Sequence, residues 1–117
     1  LDKLESIKSM QSTIRKLKNA LSQMTDNGAN TTLVEKRLHA VCIGLAMLEN
    51  VWNQTTHHYT QEELVEARNV ITSLFPSLEN SYAKSKTGSP QRTLLARRKK
   101  ALERSIQAID RTLTKEG

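Results

Sequence analysis

Three groups of residues in this sequence have side chains able to do chemistry at a spacing that would bring them together. His39 and Cys42 stand three apart, a separation that puts two residues on one face of a helix, where they could serve as a ligand pair or a Cys–His nucleophile. His57 and His58, with Glu62 and Glu63 close behind, offer imidazoles and carboxylates to a metal ion. Arg97, Arg98, Lys99 and Lys100 are consecutive, and Arg92, Arg104 and Arg111 flank them. Such a concentration of positive charge suits an anionic partner.

The first two groups have plainer explanations. A nucleophile needs a base and a third group to orient it, and no third group accompanies His39 and Cys42. A core cysteine beside a helix-edge histidine accounts for the pair. His57 and His58 precede Thr60 and Glu63, which have the spacing of a helix-capping box, so a solvated loop accounts for them. No Glu-x-x-His occurs anywhere, and dinuclear carboxylate bundles need that motif on paired helices. Gly28, Gly44, Gly88 and Gly117 are too scattered for a phosphate-cradling loop. One cysteine and three histidines make a poor zinc shell. The expectation is a chain that is not an enzyme and holds neither metal nor cofactor.

The basic group is the one functional signal. The formal net charge is +6, and the stretch 89–117 alone, with eight basic and three acidic residues, carries +5. On a helix, Arg97, Lys100, Arg104 and Arg111 form a stripe beside the buried face, with Lys84 and Lys86 near its start. Arg98 falls between Leu95 and Leu102 on the apolar stripe, where a charge must snorkel outward or meet an acidic partner. A charge run is commonly a solubilising face. The functional alternatives are a protein partner, an anionic membrane and nucleic acid. Interleaved aromatics are missing, so nucleic acid would be held by phosphate contacts rather than read base by base.

The elements that must position these residues follow from periodicity. At 117 residues, 37% of them hydrophobic, the chain supports one domain with one modest core. Only four residues are aromatic, so Leu, Ile, Val, Ala and Met must build that core. Ile7, Met10, Ile14, Leu17, Leu21 and Met24 recur at alternating steps of three and four and predict a helix over 2–26. Asn27-Gly28 supplies a left-handed stop, and Thr32 with Glu35 a capping box for a helix over 33–54. That second helix is apolar nearly all round and reads as the most buried. Its Ala40 and Gly44 stand one turn apart and invite a close crossing.

Thr60 opens a third helix over 61–85, which Pro76 should bend or break. Ser89-Pro90 opens a fourth over 90–114, burying Leu95, Leu102, Ile106, Ile109 and Leu113. The expected fold is all-α, an antiparallel up-down bundle of four helices spanning 1–117. Three bundled helices with an extended fourth are the alternative.

No apolar run exceeds the eight residues Val41–Leu48, against the ~20 of a membrane-spanning helix. A lone cysteine excludes an internal disulfide and fits a reducing, intracellular, cytosolic setting. Surplus apolar positions such as Val65, Val70 and Phe75 would also suit a homo-dimer.

Gly28-Ala29-Asn30-Thr31-Thr32 before a leucine-rich helix, a short histidine-containing loop, and Tyr59-Thr60-Gln61-Glu62-Glu63-Leu64 with Arg68 and Val70-Ile71 downstream carry a further signal. From Gly28 to about Tyr82 the chain resembles the N-terminal helical domain of the light-chain (Qc-type) syntaxins of Golgi and endosomes. The resemblance implies a regulatory module on the cytosolic face of those membranes. Such a module precedes a coiled-coil fusion motif and recruits tethering or regulatory proteins. The fourth helix follows the third almost at once, whereas family members place a linker there. Two other readings stand beside it: a basic bundle that binds nucleic acid or anionic lipid, and a small bacterial immunity or regulatory bundle that sequesters a partner.

Overall fold

The computed structural model describes residues 2–116, and among them every regular element is helical. In order they are α1 (Asp2–Asp26), α2 (Thr32–Asn53), α3 (Gln61–Thr72), α4 (Phe75–Lys84) and α5 (Pro90–Glu116). The architecture is the expected all-α bundle of four arms, with α3 and α4 together forming the third. Pro76 falls in the first turn of α4, where its missing N–H costs nothing. The helix therefore stops at Thr72 and restarts at Phe75, instead of running through 61–85.

The first helix runs antiparallel to both α2 and α5, so those two run in the same direction. Asp2 meets Arg104 while Glu5 meets Arg97, which sets α1 antiparallel to α5. Lys3 lies over the Trp52 ring, so the start of α1 adjoins the end of α2. Arg68 pairs with Asp110, Glu79 with Lys99, and Arg92 covers the Tyr82 ring, so the broken third arm descends α5. The inner pair is α2 and α5, which pack on one another and on both α1 and α3. The α4 segment leans chiefly on α5.

Local signals set the ends. Gly28, at φ 70°, closes α1: its N–H reaches Thr25 O and that of Ala29 reaches Met24 O, a Schellman stop. Thr60 and Glu63 form the expected reciprocal capping box at α3. Ser89 Oγ accepts from Arg92 N at the start of α5. The capping box expected from Thr32 does not form. The helix begins one residue earlier, Asn30 Oδ1 accepts the Thr32 N–H, and Thr31 Oγ1 donates to Glu35.

As expected, α2 is the core helix, burying Ala40, Val41, Ile43, Met47 and Leu48. Gly44 sits at the centre. A Cβ there would lie 3.1 Å from Ile71 Cδ1, 3.1 Å from Met10 Cε and 3.2 Å from Ser105 Cβ, so all the other full-length arms converge on one hydrogen atom. The face of α1 differs from its heptad reading. Only Met10 of that stripe is fully enclosed, between buried Ser6 and Thr13, while Ile7, Ile14, Leu17, Leu21 and Met24 are half-buried. The cause is that α1 rests over the seam between α2 and α5, so residues beside that seam keep one side open. Its buried hydroxyls are both bonded, Thr13 donating to Ser9 O within the helix and Ser6 Oγ accepting from Arg104 of α5.

Candidate interaction surface

The two histidine groups lie on different elements, one on α2 and one in the loop after it. His39 is exposed and faces α3, lining a shallow groove with Glu63 and Glu66. Cys42 is half-buried on the α1 side. Burial pushes its thiol up, and the nearby Lys18 charge offsets that only in part. In the loop after α2, His57 stacks on Tyr59 and its Nδ1 accepts the Tyr59 N–H, while His58 is exposed. Among the described residues no group of three or more His, Cys, Asp or Glu is placed to hold a metal ion. No helix among them is long and apolar enough to cross a membrane.

Most of the basic residues of α5 are engaged within the molecule. Arg104 reaches across to α1, donating to Asp2 O (3.2 Å), Asp2 Oδ2 (3.4 Å) and Ser6 Oγ (3.1 Å), and its side chain is only 23% exposed. Lys100 joins the same Asp2 carboxylate, which is held below its ordinary pKa by the charge of Lys100 and by the hydrogen bond and charge of Arg104. Arg97 pairs with Glu5, and Lys99 with Glu79 on α4. Arg92 donates to Ser85 O and Thr87 Oγ1 and stacks over Tyr82 at 4.2 Å, fastening the turn between α4 and α5. The net positive charge of α5 therefore doubles as the glue that holds α1 and α4 against it. Arg111, at the far end of α5, is exposed and has no ion pair among the described residues.

Arg98 is the exception within the run. It is half-buried, its Nε has no hydrogen-bond acceptor, and burial depresses its pKa. Arg37, on the first half of α2, shares these features: half-buried, with an Nε that is enclosed and unbonded. No carboxylate pairs with either guanidinium among the described residues.

Both arginines line one open groove of about 300 Å³ between α1 and α4, floored by α5. Its apolar wall comes from Leu17, Leu74, Leu78, Leu95 and Leu102. Lys16, Ser77 and Ser81 add polar groups, and no acidic side chain lines it.

The groove lies beside the break between α3 and α4: the helix stops at Thr72 and restarts at Phe75, α4 packs on α5, and Arg37 of α2 stays half-buried at the groove. Arg37 was not among the residues the sequence singled out, yet its signal resembles that of Arg98. It stands between Val34 and Val41 on the apolar stripe of α2, as Arg98 stands between Leu95 and Leu102 on α5. A comparison with protein families, with curated proteins and with solved structures finds no match to this chain.

Proposed function

We propose that this chain is a non-enzymatic protein-interaction bundle that binds an anionic face of its partner. The observation that carries the reading is the groove between α1 and α4, where two arginines remain unpaired on an apolar floor. A folded domain gains nothing by enclosing a guanidinium Nε without an acceptor, because the lost hydration is not returned. A partner's acceptors would return it. The ion pairs of Arg97, Lys99 and Lys100 support the same reading. Their side chains stay 43–57% exposed, so these pairs exchange readily and add long-range attraction for an acidic surface.

The experiment is affinity capture with the chain as bait, in the presence of nuclease and detergent. The identified partner is then reconstituted in purified form. A stoichiometric complex of two proteins is the expected result. Binding that disappears with nuclease or detergent would replace this reading with nucleic-acid or lipid binding. The resemblance over Gly28–Tyr82 extends the proposal to a regulatory module of membrane traffic. That extension requires the captured partner to be a tethering or fusion component.

A further inference from the structure

Among the cavities of the bundle, one combines unpaired cations, free hydroxyls and apolar floor. The groove near Trp52 is lined by Asp2, whose carboxylate already satisfies Arg104 and Lys100, and the one near His39 is flanked by carboxylates without an enclosed partnerless atom. In the α1–α4 groove the balance is different. Lys16, Arg37 and Arg98 supply three positive charges and the lining supplies no negative one.

Its hydroxyls divide by what they already do. Thr13 and Ser73 donate their protons to Ser9 O and Val70 O, whereas Ser77 and Ser81 make no such bond among the described residues and can donate to an incoming acceptor. From Thr13 to Ala20, from Leu74 to Ser81 and from Leu95 to Leu102, each wall spans eight residues, or seven steps. At 1.5 Å per residue that is a trough about 10 Å long, two helical turns.

We propose that the groove receives a short acidic segment of a partner protein. Its carboxylates pair with Arg37 and Arg98, and an adjoining apolar side chain rests on Leu17, Leu78 and Leu95. This rests on the protein-interaction reading and narrows it to one surface and one ligand chemistry. Arginine suits the task because its planar fork binds a carboxylate through two parallel hydrogen bonds. A side-chain rotation that frees each shielded Nε supplies the second donor. A trough open along its length and only about 300 Å³ in volume accommodates a few side chains rather than a whole enclosed molecule. Charge adjoins apolar surface on α1 (Lys16, Leu17) and α5 (Leu95, Arg98, Leu102), and hydroxyls adjoin it on α4 (Ser77, Leu78, Ser81), which is how an amphipathic segment is recognised.

The test is selection of a displayed random peptide library on the full-length chain, repeated on the Arg37→Gln/Arg98→Gln double variant and on Arg37→Met/Arg98→Met. The methionine pair keeps the stem contacts and guards against loss of binding through misfolding, with thermal melting as the control. The proposal expects peptides rich in Asp or Glu beside Leu, Ile or Phe. Their affinity should fall about tenfold or more in both double variants while the melts stay level. Peptides bound equally by the variants, or lacking acidic bias, would overturn the groove assignment and leave the interaction reading intact. Recovery of no peptides would overturn both. Phosphatidylserine vesicles and inorganic phosphate are tested in parallel. Arg37/Arg98-dependent binding of either one without peptide binding would overturn the peptide assignment in favour of that anion.

Discussion

Gly44 of α2 and Ser105 of α5 face one another so closely that a Cβ on the glycine would stand 3.2 Å from the Cβ of the serine. The other two near atoms, Ile71 Cδ1 and Met10 Cε, are the ends of flexible side chains and can yield. Ser105 Cβ is fixed to the backbone of α5, so any added atom must move that helix. Replacing Gly44 with Leu should cost about 1–3 kcal/mol by overpacking, despite leucine's better helix propensity. In a double-mutant cycle, Ser105→Gly should be less costly in a Gly44→Ala background than in the wild type. Additive melting shifts would mean that the inner helices can separate without strain.

Arg104 holds the start of α1 through Asp2 and the buried hydroxyl of Ser6. Substituting methionine leaves the Ser6 hydroxyl, in a residue 3% exposed, without that donor and should lower stability by about 1 kcal/mol. Charge reversal along Arg97, Lys100 and Arg104 therefore confounds binding with folding, and denaturant unfolding of each single variant separates the two. Arg111→Ala, with no such contact, should leave the midpoint unchanged.

The Asp2 carboxyl is held below its ordinary value of 3.8, first by Lys100 and then by Arg104. A depressed folded pKa gives stability that is complete above the unfolded value and is lost as pH falls through the folded one. The melting temperature of wild type should accordingly drop on going from about pH 5 to pH 3, and Asp2→Asn should flatten part of that drop. An unchanged profile in Asp2→Asn would mean that the α1–α5 clamp does not operate in solution.

Cys42 carries a thiol whose pKa burial raises, against only partial relief from Lys18. Alkylation by iodoacetamide at neutral pH should be slower than that of a small free thiol, since the thiolate is the reactive form. Reaction as fast as glutathione would restore the case for an activated His39–Cys42 pair.

Thr60 and Glu63 form both halves of the capping box that starts α3. Thr60→Ala should cost about 1 kcal/mol, measured by denaturant unfolding. A neutral effect would assign the start of α3 to tertiary contacts alone.

The fold was legible because its signals were local and redundant. Periodicity placed the helices, and Gly28, Thr60, Ser89 and Pro90 punctuated them with side chains and backbone conformations that act within four residues. Pro76 announced a break, but not that the segment after it would leave α2 for α5, a choice made by long-range contacts such as Lys99–Glu79 and Arg92–Tyr82. The same limit governs the candidate surface. Seven cations of α5 stood out by density, yet density says nothing about which meet Asp2 or Glu5 from a helix nearly a hundred residues away. The two arginines left unpaired are each marked by a subtler signal, a charge inside an apolar stripe. On α5 that charge stands out beside its neighbours, whereas Arg37 is hidden among the many apolar residues of α2. The α1–α4 groove itself exists only once four segments are assembled, so no window of sequence contains it.

The central claim is that the trough between α1 and α4 is a working surface, and isotope-edited NMR of the intact chain tests it most directly. Titration with a selected acidic peptide should move the backbone amides of Leu17, Arg37, Ser77, Leu78 and Arg98 and the Nε–H signals of the two arginines. Resonances around Arg111 should stay in place. Shifts confined to the exposed face of α5, with Arg37 and Arg98 unmoved, would contradict the account and return the basic helix to a role in solubility and self-assembly of the bundle.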